Sequence, residues 1–363
     1  MLKSVSFHLF SDLHYRKMMY AIPLKDMEII LNRANINNSD FMLNSGDFCN
    51  DYVGSPELIN LYIKNKYNLK VYGIYGNHEL EANNNSMKIV TPLLTNQCNN
   101  VIWGTDDGKI SKYGSIGYYY FDIKNAYRFI CLDSNYSYNI NDNKWEHNKT
   151  CSYGAPENNK FENSLGIVQT EWLKTTINDA IQNNLKCIIN SHVAYAGKEE
   201  NSLAPDYKSI IDIINSANKI KPNTVILVIN GHYHTSSTIT ENGILFLDVP
   251  AVRNTYWELR DQSYYSDSQT FNFENFDPNG NYINSKPVKL NQLWQGTNAC
   301  YNEIPVSFQL KISEDGIIKF TGMQSKWLYN VIPDGYGEYA VNAKSFCYNY
   351  LSKSFTELSK NNF

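Results

Sequence analysis

The sequence lacks the long apolar runs and the excess of one charge that mark several protein classes. No apolar run approaches the roughly 20 residues that a membrane-spanning helix needs. Lysine and arginine number 32 against 36 aspartate and glutamate residues, which gives a net charge of −4 rather than the basic excess of nucleic-acid-binding proteins. We therefore expect neither a membrane nor a nucleic acid to be the partner of this chain.

Cysteine is present, but without the spacing of a redox or metal-binding motif. The seven cysteines are scattered without a C-x-x-C pair, and Cys131 and Cys187 lie in apolar runs typical of strands. This pattern favours buried free thiols and a reducing compartment. The apolar start of the chain is interrupted by His8 and ends at Asp12, which is too short and too polar for a signal peptide. We therefore expect a cytoplasmic location.

Apolar β-branched runs alternate along the chain with amphipathic stretches. With 363 residues, 42% of them hydrophobic and 19% charged, the chain can form a substantial core. The predicted strands are Val5–Phe10, Asp40–Leu43, Lys70–Tyr75, Lys186–Ile189 and Val225–Ile229. The predicted helices are Leu24–Ala34, Pro56–Asn65, Thr170–Asn183 and Tyr207–Asn218. Apolar residues recur three and four apart in these helices, and the alternation predicts an α/β fold with helices covering a sheet.

Other segments are predicted to pair as hairpins or to leave the core. Two paired strands are predicted over Ile116–Asp122 and Tyr127–Leu132. Residues 134–164 are polar and rich in asparagine without a usable period, so we interpret them as a long excursion that is functional or mobile. A hairpin is predicted over Ser236–Thr240 and Ile244–Val249, because the Asn-Gly turn between them favours one.

The last third of the sequence has a different pattern. Residues 254–305 are aromatic and irregular, and a final hairpin is predicted over Val306–Ser313 and Ile317–Met323. No element is predicted for residues 324–363. We therefore predict a core domain over residues 1–253, with the excursion 134–164 inserted. The predicted C-terminal extension, residues 254–363, is aromatic-rich and packs on that core.

Each of the five predicted strands with helical neighbours ends in a polar cluster. The clusters are Ser11-Asp12-Leu13-His14, Asn44-Ser45-Gly46-Asp47, Gly76-Asn77-His78-Glu79, Asn190-Ser191-His192 and Asn230-Gly231-His232-Tyr233-His234. In open α/β sheets, ligands bind beyond the carboxyl ends of the strands. We therefore expect these clusters to converge on one crevice.

The side chains of these clusters are typical of a catalytic metal site. They offer carboxylate, amide and imidazole groups without a thiolate, which suits Mn, Fe or Zn. Asp12 with His14, and His232 with His234, are each two residues apart, and an extended backbone would put both members of a pair on one side. The ligands are too many for one tetrahedral ion, so we predict two ions bridged by a shared carboxylate, at the ~3.5–4 Å separation of two-metal hydrolases.

The ordered motifs D-x-H, G-D, G-N-H-E, a lone H and G-H-x-H resemble those of the calcineurin-like metallophosphoesterases, over roughly residues 5–250. The resemblance implies a four-layer α/β/β/α sandwich. It implies a first metal ion held by Asp12, His14, Asp47 and His234. It implies a second ion held by Asp47, Asn77, His192 and His232, with Asp47 as the bridge. His78 is implied to face the substrate and to assist the leaving group rather than to bind metal.

The function implied by this resemblance is two-metal-dependent hydrolysis of a small-molecule phosphodiester or phosphomonoester. The ions would bind phosphate oxygens and lower the pKa of a bridging water, so that a hydroxide attacks in line. His78 would donate a proton to the leaving oxygen or stabilise it. Glu79 is interpreted as a support of the site or as the start of a helix. A nuclease of the repair-exonuclease kind and a non-catalytic interaction scaffold are the alternatives.

Departures from the family pattern narrow the expected branch. Tyr75 stands where protein Ser/Thr phosphatases have arginine, and Asn50 stands where purple acid phosphatases have a metal-bound tyrosine. His14 as the partner of Asp12 is similar to the cyclic-nucleotide phosphodiesterase and nuclease branches, and the motif set as a whole resembles the cyclic-nucleotide phosphodiesterase and bacterial metallophosphatase branches most. Asn50 or Asp51 is a candidate to orient His78. Two further substrate contacts are predicted. Arg253 could bind a phosphate oxygen, with a surface salt bridge as the alternative, and His147 could contact substrate from the excursion, with simple exposure to solvent as the alternative.

Overall fold

The computed structural model describes part of the chain in detail. The described residues are 3–14, 22–48, 65–80, 100–104, 117–148, 159–196, 204–234, 236–256, 270–276, 282–289, 299–301, 304–326, 339–341 and 345–358. The α-helices among them are α1 (Ile22–Ile36), α2 (Gly166–Gln182) and α3 (Tyr207–Ile220), with a short 3₁₀ turn at His78–Leu80. The predicted helix Pro56–Asn65 lies outside the described residues except for its last position.

The strands of the described residues follow in chain order. The first are β1 (Val5–Phe10), β2 (Phe41–Asn44), β3 (Val71–Gly73), β4 (Val101–Trp103), β5 (Tyr119–Ile123), β6 (Tyr127–Cys131), β7 (Tyr136–Asn139), β8 (Lys144–His147), β9 (Asn159–Ser164), β10 (Lys186–Asn190), β11 (Val225–Asn230), β12 (Ser237–Glu241) and β13 (Ile244–Asp248). The later ones are β14 (Asn254–Tyr256), β15 (Thr270–Phe276), β16 (Tyr282–Lys289), β17 (Ala299–Tyr301), β18 (Phe308–Ile312), β19 (Ile317–Thr321), β20 (Gln324–Lys326), β21 (Tyr339–Val341), β22 (Phe346–Asn349) and β23 (Ser354–Glu357).

Two seven-stranded mixed sheets form the centre of the fold. The first has the order β23-β22-β19-β18-β1-β2-β3, and the second has the order β12-β13-β11-β10-β6-β5-β4. In the first sheet β1, β2 and β3 run parallel, and in the second β6, β10, β11 and β13 do so. The five predicted strands that lead into the polar clusters are therefore confirmed, although their bounds shift by a few residues.

The packing of apolar residues gives the order of the layers. One buried cluster joins the facing sides of the two sheets, for example Phe7 and Phe41 of the first sheet with Phe129 of the second. A second cluster packs α2 and α3 on the outside of the second sheet, and a third packs α1 on the outside of the first. The layers are thus helix, sheet, sheet, helix, and the predicted four-layer α/β/β/α sandwich is confirmed.

Each helix contacts its sheet through apolar residues at helical spacing. In α3 the buried positions are Ile210, Ile214 and Ala217, which are four and three residues apart. Residues at this spacing lie on one face of a helix, so a single apolar stripe meets the sheet while the opposite face stays in solvent. Within the described part of the chain, no helix combines the length and the apolar character that crossing a lipid bilayer would take.

The excursion 134–164 contains more structure than its composition predicts. Strands β7, β8 and β9 form a small antiparallel sheet in the order β8-β7-β9. Tyr136 and Ser137 are buried, and Tyr136 joins Tyr118, Trp145 and Trp172 in an aromatic cluster. The excursion, which shows no usable period in the sequence, therefore contains regular strands within residues 134–148 and 159–164. The pattern gave no strand signal because β8 and β9 are largely polar and the apolar cluster beside them is aromatic rather than aliphatic.

The C-terminal residues also differ from their prediction. The segment 254–305, read as irregular, contains β14 to β17, and the unassigned tail contains β20 to β23. The final hairpin, predicted to pack on the core, instead belongs to it: β18 pairs with β1 along the register Val5↔Ile312 to Leu9↔Phe308. The first sheet therefore continues across the division proposed at residue 253. No local sequence pattern predicts a pairing between residues so far apart in the chain.

Candidate metal centre

All eight side chains predicted for the site lie together at the carboxyl ends of the parallel strands. β1, β2 and β3 of the first sheet and β10 and β11 of the second lead directly into them. Seven of the eight are buried and His232 is partly buried. The two sheets are tied at this edge, because Ser45 Oγ donates to Asn190 Oδ1 over 2.8 Å and Asn190 Nδ2 donates to the Asn44 carbonyl over 3.1 Å.

The first cluster of potential ligands consists of Asp12, His14 and His234, with ligand atoms within 4.8 Å of one another. Asp12 Oδ1 lies 3.6 Å from His14 Nε2 and 3.2 Å from His234 Nε2. The two histidine Nε2 atoms are 2.8 Å apart. Two imidazole nitrogens this close either share one proton or face a common cation. The cluster therefore has the side chains, and the orientation of their ligand atoms, that a cation site needs.

The second cluster consists of Asp47, His192 and His232, again with ligand atoms within 4.8 Å of one another. His192 Nε2 lies 3.0 Å from Asp47 Oδ2. Asn77 adds an amide oxygen, because its Oδ1 lies 3.1 Å from His232 Nδ1. These four side chains are the set that the family resemblance implies for a second ion.

Asp47 stands between the two clusters. Its Oδ2 lies 3.0 Å from His192 Nε2 of the second cluster and 3.9 Å from His14 Nε2 of the first. Its Oδ1 accepts a hydrogen bond of 2.9 Å from the backbone N–H of His78. One carboxylate oxygen thus faces both clusters while the other is held by the chain, so Asp47 has the position from which a carboxylate could join two ions.

The electrostatics of the site fit cations. Within the described part of the chain, the buried Asp12 Oδ1 and His192 Nε2 make no hydrogen bond of regular geometry, although each faces a site side chain, His234 Nε2 at 3.2 Å and Asp47 Oδ2 at 3.0 Å. Buried polar atoms in this state are costly unless something else, such as a cation, engages them. Burial alone would raise the pKa of Asp12 and Asp47, but the nearby histidines outweigh it and hold both below their usual range. With carboxylates that stay ionised and imidazole nitrogens aimed at them, the residues present fit two divalent ions.

The histidines respond in opposite directions to these surroundings. Burial disfavours the charged form of His192, but the neighbouring Asp47 carboxylate prevails and raises its pKa to about 10. Burial and the charge of His192 lower the pKa of His232 to about 4. Two neighbouring histidines whose pKa values are shifted strongly in opposite directions are typical of functional sites.

His78 lies at the edge of both clusters. Its Nε2 is 3.8 Å from Asp47 Oδ2, and its ring packs edge-on against His14 with 4.7 Å between the ring centroids. His14, Asp47 and His78 also satisfy the spacing of a three-ligand group. His78 could therefore act either as a ligand or as a group beside the ions, and metal content is the measurement that separates the two.

The backbone at the site differs from the extended form expected for the paired ligands. Asp12, His14, Asp47, His232 and His234 all have positive φ values, between 48° and 70°. Residues other than glycine avoid this left-handed region, although Asp and His enter it more readily than most. The expectation of extended backbone is therefore wrong. As a result His232 and His234 turn to different clusters instead of sharing one side.

Glu79 supports the loop that carries Asp47. Its Oε2 accepts hydrogen bonds from the N–H groups of Gly76 at 2.6 Å and Asp47 at 3.1 Å, and its Oε1 accepts from Phe48 N–H at 2.6 Å. Gly76 is required here, since a Cβ on it would lie 2.1 Å from Asp47 Oδ1. The sequence-based interpretation of Glu79 as a supporting residue agrees with these contacts.

The two predicted substrate contacts are engaged by the protein itself. Arg253 donates from Nε and Nη2 to the buried carboxylate of Asp26, over 2.7 and 2.6 Å, so the salt-bridge alternative describes these contacts. His147 is 25% exposed in its side chain, and its Nε2 lies 2.9 Å from Asp133 Oδ2. Their roles toward substrate stay predictions, and the candidates Asn50 and Asp51 lie outside the described residues.

Sequence reasoning missed the residues that follow β6. Asp133, Ser134 and Asn135 are buried at the same edge of the second sheet as the histidines after β10 and β11. The signal was present, because a polar cluster follows an apolar strand there as it does after the other five. The pattern of Tyr127–Leu132 predicts half of a hairpin, and a hairpin strand carries no expectation of a site at its end.

Comparison with known proteins agrees with the site. The sequence profile described as calcineurin-like phosphoesterase matches residues 5–236. A dimetal phosphatase from Danio rerio shares the fold, with a TM-score of 0.53 and 14% identity over 88% of this chain and 95% of that one. A structure of PhoD is similar with a TM-score of 0.50 and 12% identity, over 100% of this chain and 73% of the other. No curated protein matches the chain.

Proposed function

The chain belongs to the calcineurin-like phosphoesterase family and is a metal-dependent phosphoesterase, and on this premise we propose that it hydrolyses a small-molecule phosphoester with two metal ions. The observation that carries the proposal is the position of Asp47 Oδ2, 3.0 Å from His192 Nε2 and 3.9 Å from His14 Nε2. A single carboxylate oxygen that faces two ligand clusters has its simplest use in joining two cations.

The residues that would hold the ions divide by cluster. The first ion would be held by Asp12, His14, His234 and Asp47, and the second by Asp47, Asn77, His192 and His232. Two divalent ions bound there would neutralise phosphoryl oxygens and lower the pKa of a bound water. Mn, Fe and Zn accept this ligand set, and availability rather than donor type selects among them.

The protein's own contributions follow from burial and position. The buried site excludes water from the ligands, so that charges act over a low dielectric. His78 lies against His14 and Asp47 and is proposed to donate a proton to the leaving oxygen, an effect typically worth ~10²–10⁴ in rate. Glu79 keeps Asp47 and Gly76 in place through their backbone N–H groups.

Turnover of two aryl esters tests the proposal. The metal-free protein is prepared with a chelator, reloaded with Mn²⁺, Fe²⁺ or Zn²⁺, and assayed on 4-nitrophenyl phosphate and bis(4-nitrophenyl) phosphate. We expect metal-dependent release of nitrophenolate from at least one ester, and the ratio of the two rates gives the preference for monoester or diester. A protein that binds two ions and hydrolyses neither ester would contradict the proposal and favour the interaction scaffold.

An assay on single-stranded DNA distinguishes the nuclease alternative from hydrolysis of a small molecule. A nuclease depends on contacts with phosphates along the strand, so its rate should fall steeply as salt rises. The net charge of −4 argues for a small substrate instead.

We also propose a cytoplasmic location, supported by the free thiols of Cys131, Cys187 and Cys347, and cell fractionation tests it.

A further inference from the structure

A hydrogen-bonded chain of side chains connects the small sheet of the excursion with the metal-ligand loop after β3. His147 Nε2 meets Asp133 Oδ2 at 2.9 Å, and Asp133 Oδ1 accepts from Asn135 Nδ2 at 2.8 Å. Asn135 Nδ2 also donates to the Gly76 carbonyl at 3.2 Å. Gly76 directly precedes the ligand Asn77, so the chain ends on the peptide group that Asn77 shares with it.

The protein itself engages both ring nitrogens of His147. Its Nδ1 faces the backbone carbonyl of Asn148 at 2.9 Å, and its Nε2 faces the carboxyl group of Asp133. These two contacts fix the plane of the ring between the Asn148 backbone and Asp133. The Asp133 side chain is fully buried, whereas the His147 side chain is one quarter exposed.

Asp133 is held in place from several directions. Gln169 of α2 accepts from the Asp133 N–H at 2.8 Å and donates to the Asp133 carbonyl at 2.7 Å. A Cβ at Gly117 would lie 1.9 Å from Asp133 Oδ2, so the carboxylate fills the space beside that glycine. On the other side, the ring of His147 packs edge-on against Tyr136 at 5.0 Å. A carboxylate fixed in this way gives Asn135 one orientation.

The orientation of Asn135 matters because of what its amide can reach. Asn135 is buried, and its own N–H donates to Asp133 Oδ1 at 3.1 Å, so Asp133 binds both its backbone and its side chain. The remaining use of Nδ2 is the Gly76 carbonyl. A hydrogen bond there restrains the rotation of the Gly76–Asn77 peptide, and with it the direction of the Asn77 side chain.

We propose that Asp133, Asn135 and His147 form a positioning relay that fixes the Gly76–Asn77 peptide, so that Asn77 is set toward the second cluster and His78 toward the leaving group. The inference rests on the proposed function. In this proposal the excursion 134–164 helps to position the site residues, since His147 lies on its strand β8. His147 acts in it as a positioning residue, and its two ring nitrogens serve the protein rather than the substrate.

The test compares Asn135→Ala with a matched control, Asn218→Ala. Asn218 donates from Nδ2 to the Val225 carbonyl at 2.9 Å and accepts from Val225 N–H at 2.8 Å, so the control removes a similar side-chain amide between α3 and β11. Both variants are titrated with Mn²⁺ by calorimetry and assayed on 4-nitrophenyl and unsubstituted phenyl phosphate. The phenyl ester has the poorer leaving group and depends more on His78.

We expect Asn135→Ala to weaken Mn²⁺ binding at one of two sites by about 10-fold or more, as removal of supporting partners typically does. We also expect a larger loss of kcat on the phenyl ester than on the nitrophenyl ester, because a good leaving group needs no proton. Asn218→Ala should leave the affinity and the ratio of the rates unchanged. A merely structural role of Asn135 would lower both rates equally and leave the metal affinity as it is.

His147→Gln is the second variant, chosen because its side chain is partly exposed and the change is mild for folding. Glutamine can donate to Asp133 but lacks the ring, so we expect a smaller change in the same direction. Wild-type Mn²⁺ affinity and an unchanged rate ratio in a folded Asn135→Ala or His147→Gln protein would overturn the relay. Failure of the wild type to hydrolyse either ester would instead count against the proposed function, and the Mn²⁺ affinities would then decide the relay.

Discussion

Glu79 and Asp47 are joined by a hydrogen bond of 3.1 Å from the Asp47 backbone N–H to Glu79 Oε2. The same oxygen accepts from Gly76, and the other accepts from Phe48. An acid that could have been a ligand is thereby used to hold two loops together, the one after β2 and the one after β3. This bond holds the backbone of Asp47 and so helps to place its side chain between the two clusters.

Replacing Glu79 by glutamine should weaken metal binding without unfolding the protein. The amide keeps the shape of the carboxylate but presents an NH₂ group to at least one backbone N–H, which cannot accept from it. We expect metal affinity or activity to fall ~10–100-fold, with recovery of activity at high Mn²⁺. Calorimetric titration measures the affinity. Glu171→Gln, on the exposed face of α2, is the control, and equal affinities in both variants would contradict the role of Glu79.

Replacing Asp47 by alanine should lower the metal content of the protein more than replacing Asp12 does. Asp47 Oδ2 faces both clusters, whereas Asp12 belongs to the first. After dialysis against metal-free buffer, we expect Asp12→Ala to retain about one ion per chain and Asp47→Ala to retain almost none. Elemental analysis by mass spectrometry gives the content. Retention of one ion by Asp47→Ala would mean that the clusters bind independently and that no bridge exists.

His78→Ala separates a role on the leaving group from a role as ligand. If His78 donates a proton, kcat should fall by ~10²–10⁴ while two ions stay bound. The loss should be largest for phenyl phosphate, because its leaving oxygen needs a proton most. His14→Ala is the contrast, since His14 lies in the first cluster and its loss should remove metal. Loss of an ion from the His78 variant would assign this residue to the ligands.

The buried His8 should make folding sensitive to acid. Its Nδ1 faces Gln309 Oε1 at 3.0 Å and its Nε2 faces Ser307 Oγ at 2.8 Å, between β1 and the start of β18. Burial lowers the pKa of His8 from 6.5 to about 4, against a smaller upward effect of the bond to Gln309 and with the help of the charge on Arg33. Below pH 6.5 the unfolded chain therefore binds a proton at this position that the folded chain refuses until about pH 4.

The free energy of unfolding should consequently fall as the pH drops from about 6.5 to about 4. The contribution of His8 to this fall is up to about 3 kcal/mol, and it is complete near the folded pKa. Urea unfolding at several pH values measures it. His8→Gln should be less stable at pH 7 but should lose less stability on acidification than the wild type. Parallel pH dependences in the two proteins would show that His8 does not titrate as its burial indicates.

The convergence of the eight candidate site residues was predictable from sequence because their signal is local. An apolar run followed at once by Asp, Asn or His predicts the end of a strand with a polar cluster beyond it, and five such ends contain all eight residues. Their division between two ions is what the family motifs imply. The same rule does not single out Asp133 and Asn135, because β6 pairs with β5 as a hairpin as well as with the parallel β10.

The sequence alone thus determined the polar clusters and the strands that lead into them, since each depends on residues close together in the chain, and the family motifs implied the four-layer class. Only the tertiary structure decided that β18 pairs with β1, that His232 and His234 turn to different clusters, and that Asn135 reaches the Gly76 carbonyl. Those relationships join distant segments or depend on left-handed backbone at ligand positions. Neither leaves a local pattern, because distant contacts form only when the whole sandwich packs.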